Sequence, residues 1–151
     1  MKTVSKLGIV AGVVALTLSG FVVNAQSNNT KSNTAELPAT AQSFIKENFG
    51  ALTIESVTAE KEATGTEYDV VLSGGTSIEF DENGNWEEID SKVTALPASV
   101  IPGAIAEYTA KNHAGNAIMQ IEKDKNGFDV ELVDNTDLEF DANGKFVRID
   151  K

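Results

Sequence analysis

The sequence predicts an α+β protein: a tandem repeat of one helix followed by a four-stranded antiparallel β-meander, with the helices on one sheet face. Three observations predict it. Ile78–Asp90 (IEFDENGNWEEID) recurs as Leu138–Asp150 (LEFDANGKFVRID), with seven of thirteen positions identical at an offset of 60. Each copy reads as a short strand, an Asn-Gly turn and a second strand, the signature of a β-hairpin. Upstream of each copy lies a proline followed by apolar residues at helical spacing, and turn signals too closely spaced for anything but antiparallel neighbours separate the strand candidates.

In chain order, residues 1–25 read as a secretory signal peptide. Lys2 and Lys6 form a basic start, Leu7–Val23 an apolar stretch, and Val23-Asn24-Ala25 a cleavage site. Residues 26–36 (QSNNTKSNTAE) are polar and aperiodic, as expected of a disordered tether. The first repeat, residues 37–90, starts at Leu37-Pro38. Proline at a helix start gives up only an amide that would be unbonded there. Ala41, Phe44, Ile45 and Phe49 follow at helical spacing, and Gly50 stops the helix. Strands are expected at about Ile54–Lys61, Glu67–Ser73, Thr76–Phe80 and Asn85–Ile89.

Residues 91–95 form a linker and 96–151 the second repeat. Its helix starts at Ile101-Pro102, which sets an offset of 64 and aligns Phe44 with Tyr108, Ile54 with Ile118 and Val57 with Ile121. Its strands are expected at about Ile118–Lys123, Gly127–Val133, Asp137–Phe140 and Lys145–Ile149. The offset drops from 64 to 60 between the first two strands, which predicts a longer loop around Glu62–Thr66 in the first repeat. A unit of this size buries little apolar surface alone, so the two sheets are expected to join edge to edge or the halves to pack closely.

Composition narrows the function. The 151 residues carry 23 acidic and 12 basic side chains and no cysteine. Without cysteine there is no disulfide, no thiolate metal site and no lipid-modified N-terminus. Loss of Lys2 and Lys6 with the leader takes the net charge from −11 to −13. That disfavours nucleic acid and anionic membrane surfaces. The acid is uneven: Thr34–Asp90 holds 13 acidic and 2 basic residues, Ser91–Lys151 10 and 7. Solubility explains this, and so does a field for a basic partner.

Period-2 alternation assigns Tyr68, Val70, Leu72, Ile78 and Phe80, with Phe128, Val130, Leu132, Leu138 and Phe140, to the helix side. The opposite face then shows Asp69, Val71, Ser77, Glu79 and Asp81, with Asp129, Glu131, Asp137, Glu139 and Asp141. If Ile89 and Ile149 face the helices, Trp86 and Phe146 face out beside Glu88 and Arg148 as interface anchors. A bulge after the glycine would instead turn both aromatics inward.

A leader followed by two repeats of proline-started helix, Y/F-D-V-x-L and [IL]-E-F-D-x-N-G-x-[WF]-x-x-I-D resembles the PepSY-like proteins, also described as β-lactamase-inhibitor-protein-like proteins of the Gram-negative envelope. The resemblance spans Leu37 to Lys151. It implies a tandem repeat of helices against four-stranded antiparallel sheets. In the inhibitor that gives the family its name, the repeats form a concave sheet face that clamps an enzyme, and related PepSY domains restrain secreted peptidases. That inhibitor is braced by disulfides, which a chain without cysteine cannot form.

The expected function is therefore an exported, non-enzymatic protein-binding module, periplasmic or secreted. It is an inhibitor or regulator of an envelope or secreted enzyme, engaged through the open sheet face. Partner-binding residues are Trp86, Phe146, Glu79, Asp81, Glu88 and Arg148. No catalytic residue, metal site or cofactor is assigned, and neither nucleic acid nor stable membrane insertion is expected. The single histidine, His113, aligns with Phe49 as a packing residue, and no nucleophile-and-base arrangement is visible. Asp81–Asn85 and Asp141–Lys145 resemble the opening of a calcium loop. Their glycine, however, stands fourth rather than sixth, Lys145 replaces a ligand, and Lys92 takes the place of the closing acid. The alternative function is a small-ligand or cation module, calcium included, on the acidic face. A further alternative is an envelope component joined through a sheet edge.

Overall fold

The computed structural model describes residues 37–63 and 65–150; the leader 1–25 and the tether 26–36 lie outside the described residues. The order is α1 (Ala39–Phe49), β1 (Ile54–Glu62), β2 (Gly65–Leu72), β3 (Thr76–Phe80) and β4 (Trp86–Ser91). A 3-10 turn, Ala98–Val100, leads to α2 (Gly103–Asn112), β5 (Ile118–Lys123), β6 (Gly127–Leu132), β7 (Asp137–Asp141) and β8 (Phe146–Asp150). The eight strands form one antiparallel sheet in sequence order, so β4 and β5 join the two halves through Glu88–Glu122, Ile89–Ile121 and Asp90–Gln120.

Both helices begin directly after proline. Pro38 and Pro102 keep extended backbone angles, and their carbonyls accept the first helical amides, from Gln42 and from Ile105 and Ala106. Neither helix has a side-chain cap. What holds each start is tertiary. Gly84 in the turn after β3 lies against α1: a Cβ there would come 2.8 Å from the Ala41 amide and 2.8 Å from Pro38 Cβ. Gly144 lies likewise against α2, where a Cβ would approach Ala104 Cβ at 3.1 Å. The glycine of the duplicated motif therefore seats the turn on a helix start, with φ of +81° and +75°.

One sheet face is buried. Val70, Leu72, Ile78, Phe80, Ile89 and Ile121 are sealed, and Val130, Leu132, Leu138 and Phe140 are nearly so. Ile45 and Phe49 of α1 and Ile105 of α2 complete this core. At the position of Ile45, α2 carries Thr109, which is buried with its hydroxyl donating to the Ile105 carbonyl at 2.8 Å. The segment between the linker and α2 is more than a tie: Leu96 and Val100 enter the core, and the Leu96 amide donates to the Ile118 carbonyl at 2.9 Å.

The sheet carries paired bulges. Partners skip one residue at Glu55 in β1 and at Met119 in β5, and again at Glu87 in β4 and at Val147 in β8. The four-residue difference between the halves is not a longer loop. It lengthens the hairpin arms, since β1 and β2 pair as far as Glu62–Gly65, whereas β5 ends at Lys123.

Candidate functional site

The bulges correct the expected placement of two site residues. Glu79 pairs with Glu88 but Phe80 with Trp86, so Glu87 is the extra residue; Glu139 pairs with Arg148 but Phe140 with Phe146, so Val147 is. One inserted residue reverses the alternation. Trp86 and Phe146 therefore lie on the buried face, half-buried and packed on the core, not beside Glu88 and Arg148. Trp86 stacks on Phe44 of α1, with ring centroids 6.5 Å apart, and Phe146 on Tyr108 of α2 at 4.4 Å. Phe80 and Phe140 meet the same helical rings edge-on, at 5.9 and 5.4 Å. Lys123 places its ammonium 4.6 Å from the Trp86 ring centre, a cation–π contact across the junction of the halves.

Asp81 is tied into its own turn. Its Oδ1 accepts the amides of Asn83 and Asn85 at 2.9 and 2.8 Å, and its Oδ2 accepts Asn85 Nδ2 at 2.9 Å. Asp141 repeats the pattern with the amides of Asn143 and Lys145, both at 2.9 Å. Against a burial cost acting upward, the bonds from Asn85 and Asn83 hold the Asp81 carboxyl below its usual range. The stretch resembling a calcium loop spends its acid on its own turn.

What remains is a row of charge along the other face. Asp69 stands opposite Glu79, Glu79 opposite Glu88, Glu88 opposite Glu122, Glu122 opposite Asp129, Asp129 opposite Glu139, and Glu139 opposite Arg148. Six carboxylates in successive cross-strand register end on one guanidinium, which is ion-paired to Glu139 and, at 3.4 Å, to Asp150. Like charges in this register oppose the fold. Partial burial, then Glu88, Asp69, Glu67 and Glu122, push the Glu79 carboxyl up to about 7. Partial burial, then Glu122 and Asp90, push Glu88 up to about 7, even though Gln120 Nε2 donates to its Oε1. Burial raises Asp69 with help from Glu60, Glu122 with help from Asp129, and Asp129 with help from Glu139.

At one end of the row, Glu67, Asp69 and Glu79 each bring one carboxylate oxygen within 4.8 Å of the others. Calcium–oxygen distances are about 2.3–2.6 Å, so two oxygens on one ion stand at most about 5 Å apart. The spacing of the three oxygens lies within the reach of one hard divalent cation. Glu67 also lines a hollow of about 270 Å³ with Gly65, Thr66, Asp81, Glu82, Asn83 and Glu87.

Of the expected residues, the structure brings Glu79, Glu88 and Arg148 into one row and separates Trp86, Phe146 and Asp81 from it. Sequence reasoning passed over Glu67, Gln120 and Glu122. Glu122 sits beyond the bulge at Met119, where simple alternation from Ile118 assigns it to the wrong face.

Among the described residues no helix is long and apolar enough to cross a membrane. No curated protein matches the chain. Solved structures similar to it include three proteins of Bacteroides. A "putative calcium-regulated periplasmic protein" of Bacteroides thetaiotaomicron is 34% identical with a TM-score of 0.76, covering 80% of this chain and 95% of that one. A "putative periplasmic protein of unknown function" of Bacteroides vulgatus is 31% identical with a TM-score of 0.76, covering 79% and 95%. A second "putative periplasmic protein" of B. vulgatus is 32% identical with a TM-score of 0.77, covering 83% and 99%. The family model described as "Putative beta-lactamase-inhibitor-like, PepSY-like" matches residues 66–148. With the repeated helix-and-meander order, the glycine-seated turns and relatives matched over nearly their whole length, the chain belongs to the PepSY-like family.

Proposed function

We propose that this protein is a periplasmic, non-enzymatic module whose acidic sheet face binds a divalent cation, calcium in the first instance. The reading treats the chain as two copies of one helix-and-meander unit with both helices on one flank and the other flank bare. The observation that carries it is the Glu67–Asp69–Glu79 triad, with oxygens within 4.8 Å, at the head of a carboxylate row. An ion there relieves the repulsion that, after burial, raises Glu79. All-oxygen donors favour calcium over softer metals, and a relative 34% identical is described as calcium-regulated.

The test is titration calorimetry and a thermal melt with calcium or magnesium. At one hundred times its Kd, calcium is expected to add about 2.7 kcal/mol of stability, with magnesium adding less. Asp69→Asn with Glu79→Gln removes the effect, while Asp141→Asn, in a turn outside the row, keeps it. No heat and no shift with calcium, or a full shift in the double variant, would sink the reading.

A second reading, recognition of a basic segment on an envelope or secreted enzyme, draws on the same row and on the 13 acidic against 2 basic residues of Thr34–Asp90. With Trp86 and Phe146 turned inward, such a contact rests on charge, so its affinity falls steeply with salt.

A further inference from the structure

The two ends of the sheet are not equivalent. In the interior, Ile89 of β4 is sealed because β5 lies alongside it with Ile121 directly opposite. Ile149 is the counterpart of Ile89 in the second half, but β8 has a neighbour only on the β7 side. Ile149 is accordingly 45% exposed and Val147 51% exposed. The other edge, β1, shows no such apolar pair: Val57 is 8% exposed, and Glu55 and Glu60 guard the strand with charge. The apolar edge therefore lies at β8, and it carries Arg148 and Asp150 on either side of Ile149.

We infer that β8 pairs antiparallel with β8 of a second copy of this chain, about a two-fold axis at Ile149. Residues directly opposite in an antiparallel pair share a face, so the axis of such a pairing must fall on a residue. An axis at Arg148 sets two guanidiniums against each other, and an axis at Asp150 sets two carboxylates. The axis at Ile149 brings Arg148 of each copy opposite Asp150 of the other on the acidic face, and Ile149 against Ile149 on the apolar face. Arg148 and Asp150 are both exposed and already lie 3.4 Å apart within one chain. Each can turn to the other copy without leaving a buried charge. The contact continues the strand addition that β4 and β5 make inside the molecule. It is also isologous, closing at two copies, whereas β8 on β1 would propagate without end.

The test is sedimentation equilibrium of residues 26–151 from micromolar to millimolar concentration, with a melt at the lowest concentration to establish folding. A monomer–dimer equilibrium is expected. Ile149→Lys is expected to be monomeric throughout, with a melt close to that of the parent. Arg148→Asp and Asp150→Arg are each expected to weaken association roughly tenfold or more by setting like charges opposite one another. The double variant, with the charges exchanged, recovers dimerisation to within roughly threefold, because the opposite-charge pairs are restored in reverse. A parent that stays monomeric at millimolar concentration overturns the proposal. So does a dimer that survives Ile149→Lys, or a double variant as weak as the singles. None of these outcomes bears on calcium binding at Glu67, Asp69 and Glu79, which lie near the other end of the sheet.

Discussion

Gly84 and Gly144 are held by two constraints at once: a positive φ, which penalises any Cβ, and a helix start packed where that Cβ would go. The constraints differ in severity. At Gly84 the nearest atoms include a backbone amide at 2.8 Å, whereas at Gly144 the nearest is the Ala104 methyl at 3.1 Å. Gly84→Ala is therefore expected to cost about 2–4 kcal/mol, combining backbone strain with displacement of α1, and Gly144→Ala about 1–2 kcal/mol. Urea unfolding of the two variants checks the order, and equal costs would mean that packing against the helix contributes nothing. The duplicated Asp-x-Asn-Gly is thus a turn that docks a helix. Its aspartate holds the turn through two backbone amides, and its glycine admits the helix.

At the scale of the element, β4 and β8 show what a bulge does to a reading by alternation. The strands themselves, the turns between them and the proline-led helices were legible, because hydrophobic period and turn chemistry are local properties. The facing of Trp86 and Phe146 was not. It depends on one unpaired residue, Glu87 or Val147, and nothing in the side chains of either announces it. The helical rings decide it instead: Phe44 and Tyr108 sit where Trp86 and Phe146 can stack, and the gain from burying an aromatic outweighs a lost ladder bond. The carboxylate row was half legible for the same reason. Asp69, Glu79, Asp129 and Glu139 follow from alternation, but Glu122 lies past the bulge at Met119, and its facing Glu88 requires the register of the one strand pair that joins the two halves. This placement sets an expectation opposite to that for an exposed anchor. Trp86→Ala should lower stability by about 2–3 kcal/mol. Phe146→Ala, on an edge strand but stacked closer, should cost a similar amount. A melt unchanged in either variant would return the side chain to solvent.

Taken whole, the molecule is one sheet with an apolar side that holds it together and an acidic side that works against it. Glu79 and Glu88 are neighbours in the row, its second and third members, with carboxyl groups raised to about 7 from an unperturbed value of 4.5. A folded-state value above the unfolded one means that the folded chain binds the extra protons. The stability this confers is complete below about 4.5 and is lost as the pH rises through about 7. Asp81, Asp124 and Asp134 are held below their usual range, so their contribution is lost only under much more acid conditions and does not enter this window. The unfolding free energy is therefore expected to fall between pH 5 and pH 8. Both groups are only half-buried, so solvent screening reduces the effect to about 1 kcal/mol for each. Glu79→Gln with Glu88→Gln should flatten the slope and leave the chain more stable than the parent at pH 8, because a neutral amide cannot add to the repulsion. Calcium should flatten it in the parent too, by binding the ionised triad that includes Glu79, and its affinity should rise over the same interval as protons leave. Denaturant melts at pH 5 and pH 8, with and without calcium, separate these effects. A stability that is level or rising across the interval would mean that the row carries no net repulsion, and with it would go the energetic reason for a cation to bind there.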